Sequence, residues 1–275
     1  MRKQPKNTLN DLDGKQWVKA TKSWFIINPR QRSAEQLDHP AKFPEELVKH
    51  LVGFFTKKES WVLDPFVGIG STSIACKESA RNSVGIELNP DFVEIGRRCV
   101  REISGKSQHH LLVGDAHQAI SLLSSEFKNE LPLFDYLITS PPYWNMLHKS
   151  RGGSDSVHKE REVRGLTQHY SELANDLGNI EDYELYLEEV ASIIGNLKPL
   201  LKKRAYLTII VQNMRDVDGQ MKPIAWDLAR RISESYSLQQ EFIWCQDNKR
   251  LGIWGYPTTY VSNVHHHYCL IFQNS

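Results

Sequence analysis

Cysteine is scarce and scattered. Cys76, Cys99, Cys245 and Cys269 are the only four in 275 residues, and no two fall at CxxC spacing. That argues against a zinc site or a disulfide framework and fits a reducing, cytoplasmic setting. Long apolar runs are missing too: the longest, such as Leu207 to Val211, are far too short to cross a bilayer. Met1-Arg2-Lys3-Gln4-Pro5 is not followed by the apolar core of a secretion signal, so no membrane partner is expected. Nor does one sign of charge dominate, since 34 Lys and Arg stand against 33 Asp and Glu. Phosphate contacts would therefore have to come from local patches rather than a global field. No linker divides the chain and no internal repeat is visible, so one large domain with its own core is expected.

What the chain does have is alternation. Phe43 to Phe55 reads as a helix, with Pro44 in the first turn and Leu47, Val48, Leu51, Val52 and Phe55 on one stripe. Trp61-Val62-Leu63 reads as a short buried strand, stopped by Asp64-Pro65. The pattern then predicts a helix over 71–79, a strand over 83–87, a helix over 90–103 and strands over 110–113 and 134–139. It continues with a helix over 182–201, a strand over 205–211, a helix over 223–233 and strands over 238–245 and 268–272. This spacing implies βαβ units, an α/β fold with a mainly parallel, doubly wound sheet. Residues 1–38 lean basic, with Arg2, Lys3, Lys6, Lys15, Lys19, Lys22, Arg30 and Arg32, and read as an extended arm. Residues 39–275 form the domain proper, with a polar loop inserted at 145–179, a length that usually carries function or motion.

Asp64-Pro65-Phe66-Val67-Gly68-Ile69-Gly70-Ser71-Thr72 falls where a strand gives way to a helix. Ligands of open α/β sheets bind there, at strand carboxyl ends and free helix N–H groups. A phosphate-cradling loop would need Gly-Lys-Ser/Thr, but Ser71 follows Gly70 directly. A dinucleotide loop would want a third glycine where Ser73 stands. A purely structural turn is the bland alternative. Two further acids favour a nucleoside pocket: Glu87 ends the next strand, placed to accept from a ribose diol, and Asp115 ends the one after, placed to receive an adenine amino group.

Thr139-Ser140-Pro141-Pro142-Tyr143-Trp144 follows the 134–139 strand, which must stop because neither proline can donate to a ladder. A rigid turn would account for two prolines alone. Prolines also fix the backbone, so the Ser140 hydroxyl and nearby carbonyls become preorganised acceptors, and Tyr143 adds a flat stacking face. His265-His266-His267 runs into a strand, where alternate side chains face opposite ways, and so is not read as a metal site.

Together, Asp64 to Thr72, Gly85-Ile86-Glu87-Leu88, Gly114-Asp115-Ala116 and Thr139 to Trp144 resemble the amino-methylating DNA methyltransferases of bacteria and their viruses, best known from restriction–modification systems. The resemblance runs from about Pro40 to Phe272. It implies a single Rossmann-like methyltransferase domain with S-adenosyl-L-methionine as cofactor and DNA with a flipped target base as substrate. It implies Ser140, Pro141, Pro142 and Tyr143 as the catalytic motif. The cofactor would be held by Phe43, Asp64, Pro65, Phe66, Gly68, Gly70, Ser71, Thr72, Glu87, Leu88, Asp115 and Ala116. Serine at position 140 tilts the expectation toward cytosine-N4 rather than adenine-N6. An RNA base or a nicotinamide cofactor are the other enzyme readings. No separate recognition domain is visible, so DNA contacts are expected from the arm, from 145–179 or from 247–267, where Lys249, Arg250, Trp254 and Tyr256 lie. A homodimer and a cognate restriction endonuclease are the expected protein partners.

Overall fold

A computed structural model of the chain describes residues 6–29, 43–128, 130–144, 176–216, 219–249, 251–253 and 255–275. Residues 1–5 and 30–42, most of the 145–179 insert, Arg250 and Trp254 lie outside the described residues. Within them the chain runs α1 (Gly14–Ala20), β1 (Trp24–Ile26), α2 (Glu45–Phe55), β2 (Trp61–Asp64), α3 (Ser71–Glu78), β3 (Asn82–Glu87), α4 (Pro90–Arg101), β4 (His109–Val113), α5 (Ala119–Phe127) and β5 (Phe134–Thr139). After the gap come α6 (Tyr183–Asn196), β6 (Leu201–Val211), the small hairpin β7 (Met214–Arg215) and β8 (Met221–Lys222), α7 (Ile224–Ile232), β9 (Ser237–Cys245) and β10 (His266–Gln273).

Eight strands make one sheet in the order β1-β9-β10-β6-β5-β2-β3-β4. The run from β4 to β6 is parallel, and β10 is antiparallel to both of its neighbours. Side chains alternate between two helical layers, as strand geometry requires. Leu63, Val84, Ile86, Leu137, Leu207 and Ile209 share one core with α6 and α7. Val62, Tyr136, Ile138 and Ile210 share the other with α2 and α3. The expected doubly wound α/β architecture is therefore present. No helix among the described residues is long and apolar enough to cross a membrane.

Two expectations need correction. Residues 6–29 are no irregular arm: an Asp13–Gln16 capping box starts α1, and β1 pairs parallel with β9 at the sheet edge. Their apolar side chains, hidden in a basic stretch, decide this. Trp17 packs on Phe54 and Phe25 against Phe242, while buried Asn10 donates to the Phe54 carbonyl at 2.6 Å. The helix expected over 182–201 ends at Asn196, because Pro199 sits in a short 3-10 turn and β6 already begins at Leu201.

Order across the sheet positions the site. From β2 the chain winds outward through β3 to β4, then returns to lay β5 on the other side of β2. The strand order reverses between β2 and β5, and such a switch point opens a crevice at the strand carboxyl ends. Those ends are Asp64 and Thr139.

Candidate active site

Asp64 is fully buried at the base of the crevice. Its Oδ1 accepts from the Thr139 hydroxyl at 2.6 Å and from the Phe66 N–H at 3.1 Å, and its Oδ2 accepts from the Thr72 hydroxyl at 2.5 Å. Burial pushes the carboxyl up to about 6, against the pull of those three bonds. One side chain thus ties together the end of β5, the loop after β2 and the first turn of α3.

The loop returns to Glu87 at the end of β3. Gly68, with φ of 53°, turns its N–H onto Glu87 Oε2 at 3.1 Å, while Oε1 accepts from the Asn89 N–H at 2.8 Å. Burial pushes Glu87 up to about 7, partly offset by those bonds. The loop lies so close to β3 that a Cβ on Gly85 would stand 2.6 Å from Val67. Only glycine fits there, and the match of loop to strand depends on it.

Two adjoining cavities open above these residues. The larger, about 290 Å³, is lined on one side by Phe43, Phe66, Gly68, Ser71 and Glu87 and on the other by Ser140, Pro141, Pro142 and Tyr143. The smaller, about 40 Å³, shares Phe66, Glu87 and Pro142 and adds Pro65, Leu88, Asp115 and Ala116. Most of the sequence-derived set is therefore brought together. Asp64, Gly70 and Thr72 line neither cavity. Thr72 is fully buried against Asp64, and a Cβ on Gly70 would come within 3.3 Å of Gly96 in α4. These three shape the pocket from behind.

Asp115 does more than end a strand. Its carboxylate caps the turn at Ala116–Gln118 by accepting from the His117 N–H at 2.9 Å, and it meets the His117 ring at 2.8 Å. The other ring nitrogen of His117 meets Glu189 of α6 at 2.7 Å. Burial works against charging His117, but the bonds to Glu189 and Asp115 outweigh it and raise its pKa.

The Ser140–Tyr143 segment is braced from α6, where buried Tyr186 donates its hydroxyl to the Pro142 carbonyl at 2.8 Å. Trp144 is fixed by donating its indole N–H to the Glu181 carbonyl at 3.1 Å. Burial pushes the Tyr143 hydroxyl, bonded to Ser140, up to about 12, so it remains neutral.

The third wall draws Lys249 and His267 from the 247–267 stretch expected to contact DNA, and adds Trp244 and Gln246, which the sequence does not announce. Trp244, Gln246, Lys249 and His267 come from the end of β9, its following loop and the start of β10. Trp244 faces His267 across the antiparallel pair, their rings stacked 4.4 Å apart at 25°. Of the three consecutive histidines, His266 instead meets Tyr268, so adjacent ones do diverge. Beyond this wall the connection carries exposed Leu251, Ile253, Tyr256 and Tyr260.

Comparison with known proteins finds methyltransferases. Residues 2–98 match the family model described as DNA methylase. The type II methyltransferase M.BglI of Bacillus subtilis is 31% identical over 135 residues, spanning 44% of this chain and 38% of that protein. M.Cfr9I of Citrobacter freundii is 37% identical over 78 residues, 28% of this chain and 25% of its own. Over these stretches the chain is similar to DNA methyltransferases. It spans less than half the length of these curated relatives. Among solved structures, TrmN of Thermus thermophilus aligns with a TM-score of 0.48 at 12% identity, covering 83% of this chain and 47% of that one. Magnesium protoporphyrin IX methyltransferase of Synechocystis aligns with 0.47 at 13% identity, covering 90% and 87%.

Proposed function

We propose that this chain is a DNA amino-methyltransferase, that it uses S-adenosyl-L-methionine to methylate an exocyclic amino group of a DNA base, and that the base is cytosine, modified at N4. The observation carrying this reading is that the glycine loop with Glu87 and the Ser140–Tyr143 segment line one cavity together. The donor set suits the cofactor. Gly68 contributes no side chain at its own position in the loop, Glu87 offers a carboxylate to a ribose diol from the boundary of both cavities, and Asp115 with Leu88 and Ala116 edges the smaller one, where an adenine would lie.

S-adenosyl-L-methionine, when bound, supplies a methyl carbon on a positively charged sulfur, which leaves as a neutral thioether as the base nitrogen takes the methyl. The protein's task is to present that nitrogen. An aromatic amine donates poorly because its lone pair is conjugated with the ring. Acceptors at the Ser140 hydroxyl and the proline-fixed backbone pull its hydrogens out of the ring plane and free the lone pair. Tyr143 offers its face to a base withdrawn from the helix stack, offsetting part of the unstacking cost. The methylated amine is cationic and strongly acidic, so its proton leaves to water without a dedicated base. Serine at 140 supports cytosine over adenine through the family resemblance. The exposed apolar and aromatic residues at 251–260, beside Lys249, are the surface we assign to the displaced strand.

The test is transfer of labelled methyl to unmethylated DNA, followed by digestion and nucleoside mass spectrometry. N4-methylcytosine is expected. N6-methyladenine would correct the base, and labelling of RNA in preference to DNA would overturn the substrate.

A further inference from the structure

Two residues lining the larger cavity each carry a buried polar atom with no partner among the described residues: Gln246 Oε1 and His267 Nδ1. Gln246 is 5% exposed and His267 7%. A buried polar atom left unpaired costs about 1–3 kcal/mol, so such groups persist where a ligand completes them. Gln246 directly follows β9 and His267 lies at the start of the neighbouring β10, and the Gln246 N–H donates to the His265 carbonyl. Tyr143, which lines the same cavity, has its ring 6.5 Å from that of His267.

We propose that Gln246 and His267 read the hydrogen-bonding edge of the flipped base and set its identity as cytosine. This rests on the methyltransferase reading above and names the residues that would select the base it assigns. A carboxamide presents an acceptor and a donor side by side. That pair matches the amino group and adjacent ring nitrogen of cytosine (N4 and N3), and equally those of adenine (N6 and N1). Gln246 therefore holds an amino–imino edge without choosing between the bases. The choice falls one atom further along, where cytosine has the O2 carbonyl and adenine a C–H. A neutral imidazole carries one N–H donor, which pairs with a carbonyl and is left unpaired against a C–H. His267 is held neutral by burial and by the nearby charges of Lys249 and His266, which together push its pKa down to about 3. Its stack on Trp244 fixes the ring plane, and with it the direction of the N–H.

The experiment compares wild type with Gln246→Glu and His267→Phe on DNA from a methylation-deficient bacterium. It measures methylated nucleosides, steady-state kinetics on DNA and calorimetric cofactor affinity. Gln246→Glu keeps the shape and removes the amide donor. His267→Phe keeps a ring against Trp244 and removes the N–H. Each is expected to lower kcat/KM for DNA at least about tenfold, the loss of a good base-edge contact, with cofactor Kd within about twofold of wild type. His267→Phe is also expected to raise the ratio of N6-methyladenine to N4-methylcytosine. Wild-type rate and ratio in both variants would overturn the assignment, as would cofactor affinity falling in step with transfer, or wild type forming N6-methyladenine. Wild type that methylates no DNA base would remove the parent reading, and this one with it.

Discussion

Thr139 donates its hydroxyl to Asp64 at 2.6 Å, joining the last residue of β5 to the last residue of β2. Both are fully buried, so the bond is a rigid link between the two halves of the site rather than a ligand contact. Thr139→Val removes one of three donors to a buried carboxylate and is expected to cost about 1–3 kcal/mol in urea unfolding. Because Ser140 follows directly, transfer should fall further than cofactor affinity does. Unchanged stability together with unchanged transfer would show that the link is idle.

Tyr186 braces the same segment from the far side, through the Pro142 carbonyl. Tyr186→Phe keeps the buried ring and deletes one hydrogen bond, about 1 kcal/mol of stability. The carbonyl it releases lies in the segment meant to aim the base, so kcat is expected to drop several-fold with KM for DNA little changed. A rise in KM for DNA with kcat intact would place Tyr186 in binding instead.

Glu87 gives the site a pH signature. Its pKa stands at about 7 in the folded protein against an ordinary 4.5, because burial disfavours the charge. The folded state therefore holds the extra proton between those values, and the stability contributed by this group falls as pH rises through that window. A ribose diol needs an acceptor, so the carboxylate is the binding form. Cofactor Kd is expected to weaken about tenfold from pH 8 to pH 6, with Glu87→Gln weaker throughout and flat across the range.

How far the sequence speaks depends on how local each feature is. β2, β3 and β5 are short apolar runs ended by Asp64, Glu87 and Thr139, and a helix or turn after each strand end makes the pocket's address readable without a structure. Asp64 could be located but not given its role. An acid at a strand end looks the same whether it faces a ligand or, as here, turns inward onto Thr72 and Thr139. The meeting of Trp244, Gln246 and His267 was out of reach for a different reason. They meet through the register of an antiparallel pair whose two strands are joined by a connection of some twenty residues, and no period in the sequence reports that register. α1 and β1 were obscured by composition, since their lysines suggest a solvated arm while Trp17 and Phe25 do the packing.

The indole N–H of Trp244 donates to the Ile27 carbonyl at 2.8 Å, so the residue stacking on His267 is anchored by the strand at the sheet edge. β1 also supplies backbone partners for Ile243 to Cys245, and Phe25 covers His50 and Phe242. Deleting residues 1–28 strips these contacts and leaves the Trp244 N–H unpaired beside the larger cavity. The expected result is a lower Tm and loss of DNA methylation, while cofactor binding at the opposite wall, built from β2 and β3, weakens far less. A deletion variant that transfers methyl at the wild-type rate would show that this wall holds its shape without the N-terminal segment.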